Sequence, residues 1–318
     1  MSIISNDINK AVEILNKNDV VAIPTETVYG LAGNIYSENA LRKIFEVKQR
    51  PLFNPLIVHL HSIEQLNEIV SEFPPKAKLL AEAFWPGSIT LVLKKKPTIP
   101  DLITAGKATV AVRIPNHPVT LKLLKQLAFP LAAPSANPFN CISPTQAAHV
   151  ENYFKSSLPL ILEGGACKNG LESSIVGFEN NEPILYRLGA IPIEEIENVV
   201  GKINVKNENE STPDAPGMLG KHYSPKTKMY LVNNWKEFSI DFKDKNVGLI
   251  SFSETINNST IKHTEILSKS KNLKEAASKL YNSLHQLDHL NLDMIIAIKL
   301  PNIGLGKTIN DRLERAAK

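Results

Sequence analysis

The sequence is poor in cysteine, with two in 318 residues, Cys141 and Cys167. Two thiols are too few for a four-cysteine zinc site or for a disulfide framework, so a reducing cytoplasm is the expected home. No stretch approaches the roughly 20 apolar residues of a membrane-spanning helix. The start, MSIISNDINK, lacks the basic and apolar regions of a secretory signal. We therefore expect neither a membrane span nor a signal peptide.

Two common catalytic or nucleotide-binding signatures are also missing. No G-x-G-x-x-G fingerprint for dinucleotides and no G-x-S-x-G elbow for a nucleophilic serine occurs. The segment GLGKT (304–308) has the last residues of a phosphate-binding P-loop, but Pro301 stands where that motif requires glycine. A dinucleotide-binding domain, a serine hydrolase of this type and a P-loop are therefore not predicted.

An excess of positive charge is missing from most of the chain. Residues 1–210 carry 20 Lys/Arg against 21 Asp/Glu, whereas residues 211–318 carry 16 against 11. Tight nucleic-acid binding needs a dense basic face, because its affinity comes largely from neutralising phosphates. We therefore expect no tight nucleic-acid binding and interpret the C-terminal surplus as solvated lysines.

Hydrophobic residues make up 43% of the chain, in short apolar runs that alternate with helical periods. This alternation predicts a central α/β sheet with covered faces, and several connections too short for a helical crossover predict a mixed sheet. The predicted strands are 20–24, 56–60, 89–93, 109–114, 130–133, 159–162, 174–178 and 183–188. The predicted helices are 8–15, one from Ser37, one capped by Ser62 and Gln65, and 75–84, 117–127, 144–151 and 193–200.

The composition changes between residues 201 and 226, which are polar, rich in Pro, Gly and Asn, and without an apolar period. We predict a first domain at 1–200, a linker or lid at 201–226 and a small α/β domain at 227–318. A solvated tether has no need of an aromatic residue, so Tyr223 favours a lid that covers a pocket over a floppy spacer.

Polar residues cluster in several motifs next to predicted strands. PTETVYGL (24–31) offers two threonine hydroxyls and a glycine turn for a ligand, and an ordinary turn with capping threonines is the alternative. In KQRPLFNP (48–55), Lys48 and Arg50 can reach one anion, and an exposed basic helix end is the alternative. In the strand TVAVRIP (109–115), Arg113 needs an anion, which a ligand or a structural carboxylate can supply.

The loop 133–145 offers the small donors Ser135, Asn137 and Ser143 for a nucleotide, with a plain loop as the alternative. His59 and His61 share one face of a strand, but without a third ligand at useful spacing zinc is disfavoured. Cys167 has no base partner in the sequence, and we expect it to be an unreactive thiol.

Together these motifs closely resemble the threonylcarbamoyl-AMP synthase family, whose core is the YrdC-like fold. The resemblance rests on PTETVYGL, KxRPxxNPL, PGxxTLVL, TVAVRxP, PSAN and GLESSIV, and on HYSP (222–225) and GLGKTINDRLERAA, which resemble the longer members. It implies a YrdC-like catalytic domain with a twisted mixed sheet and helices, followed by a small C-terminal Rossmann-like α/β domain.

The resemblance also implies a reaction. The family makes threonylcarbamoyl-AMP and pyrophosphate from L-threonine, bicarbonate and ATP, as a nucleotidyltransferase with Mg²⁺ on the ATP. The product serves the threonylcarbamoyl modification of a tRNA adenosine by a separate transferase, to which it is handed over transiently. Carried over to this chain, the threonine site comprises Thr27, His59, Arg113, Ala133 and Ser173. The ATP site comprises Lys48, Arg50, Asn54, Thr109, Ser135, Asn137, Ser143, Arg187 and Tyr223, with Lys48 and Arg50 as the catalytic cations and no metal ligand in the protein.

The chain departs from the family pattern at Glu163, Ser174 and Leu188, which puts the loop geometry beside Arg187 in doubt. Two other functions remain as alternatives. The YrdC-like fold is also associated with RNA binding, against which the charge of residues 1–210 argues. Carbamoyl transfer in hydrogenase maturation is disfavoured, because those proteins carry zinc-binding C-x-x-C pairs that are absent from this sequence.

Overall fold

The computed structural model describes residues 3–206, 215, 216, 218, 220, 222–235, 245–256 and 258–318. The strands of the first sheet are β1 (Ile3–Ser5), β2 (Val21–Ile23), β3 (Gly30–Asn34), β4 (Ile57–His59), β5 (Ile89–Lys94), β6 (Thr109–Arg113), β7 (Leu131–Ala132), β8 (Leu160–Leu162), β9 (Ser174–Glu179), β10 (Glu182–Arg187) and β11 (Asn204–Val205), the last of which lies inside the predicted linker. The helices are α1 (Ile8–Asn16), α2 (Glu38–Lys48), α3 (Leu66–Ile69), α4 (Pro75–Phe84), α5 (Asp101–Thr104), α6 (Pro118–Leu124), α7 (Ala147–Phe154) and α8 (Ile193–Val200).

Within the described residues, these strands form one mixed sheet in the order β1-β8-β2-β3-β7-β4-β6-β5-β9-β10-β11. Parallel pairs such as β4 with β6 alternate with antiparallel pairs such as β5 with β6. The predicted mixed α/β sheet is thereby confirmed. The parallel pairing places the ends of β4 and β6, His59 and Arg113, side by side.

The C-terminal part forms a separate sheet. It comprises β12 (Met229–Val232), β13 (Val247–Ser251), β14 (Ile261–Ile266) and β15 (Met294–Ile298), with α9 (Leu273–Asp288) and α10 (Leu305–Ala316). The four strands are all parallel, in the order β12-β15-β13-β14, as expected for a Rossmann-like domain. Because α10 begins at Leu305, GLGKT lies at a helix start without forming a P-loop.

The two parts of the chain share a hydrophobic core. Val28, Ile142 and Leu171 of the first part pack with Tyr223 and with buried residues of the C-terminal domain. A second contact is made by the linker, where Ala215 and Met218 pack on the first sheet. None of the helices that the structure describes has the length and apolarity to span a bilayer.

Two local predictions were wrong. Gly30 does not form a turn but begins β3, where an added Cβ would lie 3.2 Å from the Cβ of Ala133, so glycine permits the close approach of two backbone segments. Ser62 and Gln65 do not form a capping box: α3 begins at Leu66, and Gln65 Oε1 instead accepts a hydrogen bond from His61 N at 3.1 Å.

Candidate active site

A cavity of about 600 Å³, including its open mouth, lies at the ends of β4 and β6 and against the start of β3. Loops from both sides of the first sheet and the linker close it. Nine of the residues assigned from the sequence line it: Thr27, Arg50, His59, Arg113, Ala133, Ser135, Ser173, Arg187 and Tyr223. All five assigned threonine ligands and four of the nine assigned ATP ligands therefore meet in one place.

Arg113 forms one side of the cavity, and its surroundings combine both alternatives open from the sequence. Its NH2 lies 2.5 Å from Glu26 Oε1, in an ion pair buried on both sides, and its NH1 donates to Thr27 Oγ1 at 2.9 Å. Among the described residues, its Nε has no hydrogen-bond partner. A structural carboxylate thus neutralises Arg113 in part, while Nε is left as a donor for the carboxylate of a ligand.

The loop before β3 holds Thr27 in place. Thr25 Oγ1 donates to Val28 O at 2.6 Å and accepts hydrogen bonds from the backbone N–H groups of Thr27 and Val28. Thr25 is thus the turn-capping threonine, and both Thr25 and Thr27 line the cavity. The motif serves a turn and a ligand at once.

His59 ends β4 and is 3% exposed. Burial and the nearby Arg113 lower the pKa of its imidazole to about 3, so the ring is neutral at physiological pH. Its Nδ1 lies 3.2 Å from Ile57 O. Because a carbonyl oxygen accepts and never donates, Nδ1 carries the proton and Nε2 is left as an acceptor.

Arg50 and Arg187 supply the cavity with two buried cations. Gln49 ends α2 in the left-handed conformation (φ 52°), and Arg50 follows it into the cavity wall. Its guanidinium donates to Asn54 Oδ1 at 2.7 Å and to Pro55 O at 2.8 Å. Burial and the neighbouring Arg187 lower the pKa of Arg50 to about 9, so an anion between the two is favoured.

Arg187 is positioned by Ser173 of the motif GLESSIV. Its Nε and NH2 donate to Ser173 O at 3.0 and 2.8 Å, and its NH1 donates to Pro216 O of the linker at 3.2 Å. The departure from the family pattern at Leu188 does not remove Arg187 from the cavity lining.

Lys48 does not line the cavity beside Arg50. Its Nζ donates to Ser135 O and Asn137 O, at 2.5 Å each, beneath the loop that follows β7. A buried ammonium group requires such acceptors. Burial is the main cause that lowers the pKa of Lys48 well below its ordinary value, and repulsion from Arg50 lowers it further. Lys48 therefore supports the loop that carries Ser135, and its direct contact with a phosphate stays a prediction.

Four further assigned residues lie outside the cavity lining. Asn54 holds Arg50, and Asn137 donates to Pro138 O and Cys141 O at 2.9 Å. Ser143 donates to Glu172 Oε1 at 2.7 Å. Thr109 lies at the start of β6, four residues from Arg113 and on the same face, where Ala111 packs with the linker. Their direct contacts with ATP stay predictions.

The sequence analysis missed three residues that shape the site, namely Glu26, Glu172 and His222. Glu26 and Glu172 belong to the motifs PTETVYGL and GLESSIV, in which only hydroxyl-bearing residues were assigned to the site. The signal that could have revealed Glu26 is that Arg113, on a buried strand, needs a carboxylate partner. Glu172 and His222 both line the cavity.

The described part of the linker lies against the cavity, as predicted for Tyr223. Pro216, His222 and Tyr223 line it, and Tyr223 is 1% exposed. Tyr223 has φ 65°, and the next residue is tied down by Ser224 N, which donates to Asn140 O at 2.8 Å. Opening of this segment for product release stays a prediction.

Within the described parts of the chain, no three His, Cys, Asp or Glu residues are grouped so as to hold a metal ion. The cavity carboxylate Glu172 is already bonded to Arg312, Ser143 and Tyr281. The described residues therefore do not fit a resident metal, and Mg²⁺ bound together with ATP stays a prediction. Cys141 and Cys167 are free, and burial raises the pKa of Cys167 to about 12, which fits an unreactive thiol.

Acid should destabilise the fold through its buried histidines. Burial is the main cause that lowers the pKa of His59, His222 and His285 to about 3 and of His149 to about 4. Between about pH 6.5 and these values the unfolded chain binds more protons, so stability falls by up to roughly 1.4 kcal/mol per histidine and pH unit.

We therefore expect urea midpoints that are constant from pH 8 to 7 and decline steadily from pH 6.5 to 5. The variant His285→Gln should show a shallower decline, because one titrating group is removed. A midpoint independent of pH between 7 and 5 would contradict this prediction.

A family model described as telomere recombination matches residues 13–189, more than half of the chain. A second model, described as the threonylcarbamoyl-AMP synthase C-terminal domain, matches residues 191–318. The chain belongs to the threonylcarbamoyl-AMP synthase family. The family resemblance in the sequence motifs is thereby confirmed for both parts of the chain.

Individual relatives agree with this membership. The threonylcarbamoyl-AMP synthase of Pyrococcus abyssi is 38% identical over 96% of this chain and 93% of its own length. That of Bacillus subtilis is 37% identical over 98% of this chain and 92% of its own length. The crystal structure of P. abyssi Sua5 complexed with L-threonine matches with a TM-score of 0.90 at 36% identity, covering 99% of this chain and 98% of that one.

Proposed function

We propose that the protein condenses L-threonine, bicarbonate and ATP into threonylcarbamoyl-AMP and pyrophosphate. The family membership supports this reaction, and one observation in the structure supports it most directly. Arg113, whose Nε has no hydrogen-bond partner among the described residues, lies in the same cavity as the cations Arg50 and Arg187. A single cavity thus offers a carboxylate site and a phosphate site, as a reaction that joins an amino acid to a nucleotide requires.

Threonine binds at the Arg113 end of the cavity. The guanidinium donates to its carboxylate, and the neutral Nε2 of His59 accepts a hydrogen bond from its amino group. Thr27, Ala133 and Ser173 line the same region and limit the space for the side chain. A neutral imidazole suits this place, because a protonated one would repel an ammonium group and add to the charge of Arg113.

ATP binds at the Arg50 and Arg187 end. The unprotonated threonine amine attacks the carbon of bicarbonate or CO₂ to give a carbamate, with loss of water in the case of bicarbonate and of a proton to solvent in the case of CO₂. A carbamate oxygen then attacks the α-phosphorus of ATP, and the bond to the leaving pyrophosphate breaks. Arg50 and Arg187 neutralise the charge that builds up on the phosphate oxygens, which is the main need of phosphoryl chemistry.

Water must be kept away from this reaction, because both the carbamate and the mixed anhydride hydrolyse. Tyr223 and His222 of the linker line the cavity, with their ring centroids 4.0 Å apart. We propose that this segment is a lid, which closes over the substrates and opens to release the adenylate.

The adenylate supplies a separate transferase that modifies a tRNA adenosine, to which it is handed over transiently. The cytoplasm, with its pools of ATP and threonine, is the proposed location. The alternative function of an RNA-binding module has no observation in its favour among the described residues.

The test is incubation of the protein with ATP, threonine, bicarbonate and Mg²⁺, followed by mass spectrometry of the nucleotides. We expect a threonine-dependent adenylate and an equal amount of pyrophosphate. Reactions that lack threonine or bicarbonate serve as controls and should give neither. Pyrophosphate release at the same rate without threonine, and no adenylate with it, would contradict the proposed function.

A further inference from the structure

Arg312 of α10 crosses from the C-terminal domain into the wall of the first-domain cavity. Its Nε donates to Glu172 Oε2 at 3.0 Å, its NH2 donates to Leu188 O at 2.5 Å, and its NH1 is paired with Asp311. The side chain is 1% exposed. Burying an arginine costs free energy unless its charge is paired, and here the cavity-lining carboxylate of Glu172 pairs with it.

Glu172 is the carboxylate that Arg312 neutralises. It lines the cavity, and it accepts further hydrogen bonds from Ser143 Oγ at 2.7 Å and Tyr281 OH at 2.9 Å. Burial raises its pKa, but the charges of Arg312 and Arg187 and the hydrogen bonds from Ser143 and Arg312 outweigh burial and bring the pKa down to about 2. Glu172 is therefore an anion in the wall of a cavity that has to take a triphosphate.

The same guanidinium also contacts the lid. Its central carbon lies 4.9 Å from the centroid of the Tyr223 ring, and that ring stacks on Tyr281 at 5.7 Å. A cation over the face of a tyrosine stabilises the ring in that position. Arg312 thus touches two groups that line the cavity without lining it itself.

We propose that Arg312 is a positioning residue of the ATP site, which cancels the charge of Glu172 and holds Tyr223, so that ATP can bind. This inference rests on the proposed function. It assigns the C-terminal domain a defined contribution to the active site, namely one buried positive charge. Without that charge, Glu172 would repel the phosphates.

The decisive variants are Arg312→Met and the double variant Arg312→Met/Glu172→Gln, with calorimetric titration of ATP and, separately, of threonine. For Arg312→Met we expect the Kd for ATP to rise about thirtyfold, as for unit charges roughly 8 Å apart at an effective dielectric constant of about 20. The Kd for threonine should change much less. In the double variant the Kd for ATP should return to within about fivefold of the unmodified chain.

The recovery in the double variant separates the electrostatic role from a merely structural one. Methionine cannot restore the hydrogen bonds of Arg312, so a structural role predicts a double variant at least as impaired as Arg312→Met. Such a result would overturn the proposal. Lys307→Met is the matched control: Lys307 also lies on α10 and bridges to the first part of the chain, 2.7 Å from Glu194, but this pair is exposed and outside the cavity lining.

Should Arg312→Met fail to fold, Glu172→Gln decides the matter. Glutamine removes the negative charge but keeps one oxygen, which can accept hydrogen bonds from Tyr281 and Arg312, while its NH2 group can donate to Ser143 Oγ. ATP should therefore bind as tightly as before or more tightly. Weakening of ATP binding by more than tenfold in this variant would overturn the proposal. ATP binding by the unmodified chain is measured first, and its absence would instead refute the proposed function.

Discussion

Replacement of Arg113 by alanine is expected to raise the Kd for threonine by about ten- to a hundredfold and to change the Kd for ATP little. The reason is that Arg113 lines the cavity and that its Nε has no hydrogen-bond partner among the described residues. A hydrogen bond between charged groups contributes roughly 1.5–3 kcal/mol, which corresponds to this range of Kd. Calorimetric titrations with each substrate measure the two constants separately.

The buried partner of Arg113 makes a second variant necessary. Without Arg113, Glu26 remains as a buried carboxylate without its cation, and breaking such a pair costs about 3–5 kcal/mol of stability. Arg113→Lys keeps the positive charge beside Glu26 but lacks the planar fork that matches a carboxylate. We expect Arg113→Lys to stay folded at room temperature and still to lose at least tenfold in threonine affinity.

Loss of ATP affinity with unchanged threonine affinity would show that Arg113 binds ATP and that its assignment to threonine is wrong. Equal loss of both in Arg113→Lys, with a normal unfolding midpoint, would show that it shapes the whole cavity.

The order of strands and helices was predictable because apolar runs and helical periods are local properties of the sequence. The strands that were missed lack that signal. In β3, glycines at 30 and 33 resemble loop punctuation, although the glycines serve close packing against Ala133 and α2. In β14, at the edge of the second sheet, Lys262, His263 and Glu265 interrupt the apolar pattern because that strand is partly exposed.

The site was predictable where a motif and its ligand group coincide, as for Thr27 and Arg113. The direction of a side chain was not, because a residue at a helix end, such as Lys48, can turn towards the ligand or towards backbone carbonyls. Charge pairs between distant segments were beyond reach for a different reason. Glu172 and Arg312 are 140 residues apart, and no local pattern links them.

This difference explains why the C-terminal domain contributed nothing to the predicted ATP site. In the motif GLGKTINDRLERAA, the likeness of its first residues to a P-loop was noticed and rejected, whereas the role of Arg312, which contacts Glu172 in the cavity wall, was not predicted. The chemistry of that helix depends on what it packs against, which the fold decides.

Replacement of Arg50 by alanine is expected to reduce kcat/KM for ATP by about a hundredfold or more. Arg50 is the cavity cation that the hydrogen bonds to Asn54 and Pro55 hold in a fixed orientation, so it needs no rearrangement when charge develops on the phosphates. Loss of one preorganised group of this kind typically costs about 10²–10³ in rate. Initial rates of pyrophosphate release at varied ATP and saturating threonine measure the effect.

Arg42→Ala is the matched control, because Arg42 belongs to the same helix, α2, and is 61% exposed in a pair with Glu38. A surface pair of this type contributes little, so this variant should keep its activity within about twofold. If Arg50→Ala raised the threonine requirement instead and left ATP use intact, the two ends of the cavity would have to be exchanged. Arg50 and Arg187 would then bind the amino-acid carboxylate, and Arg113 the nucleotide.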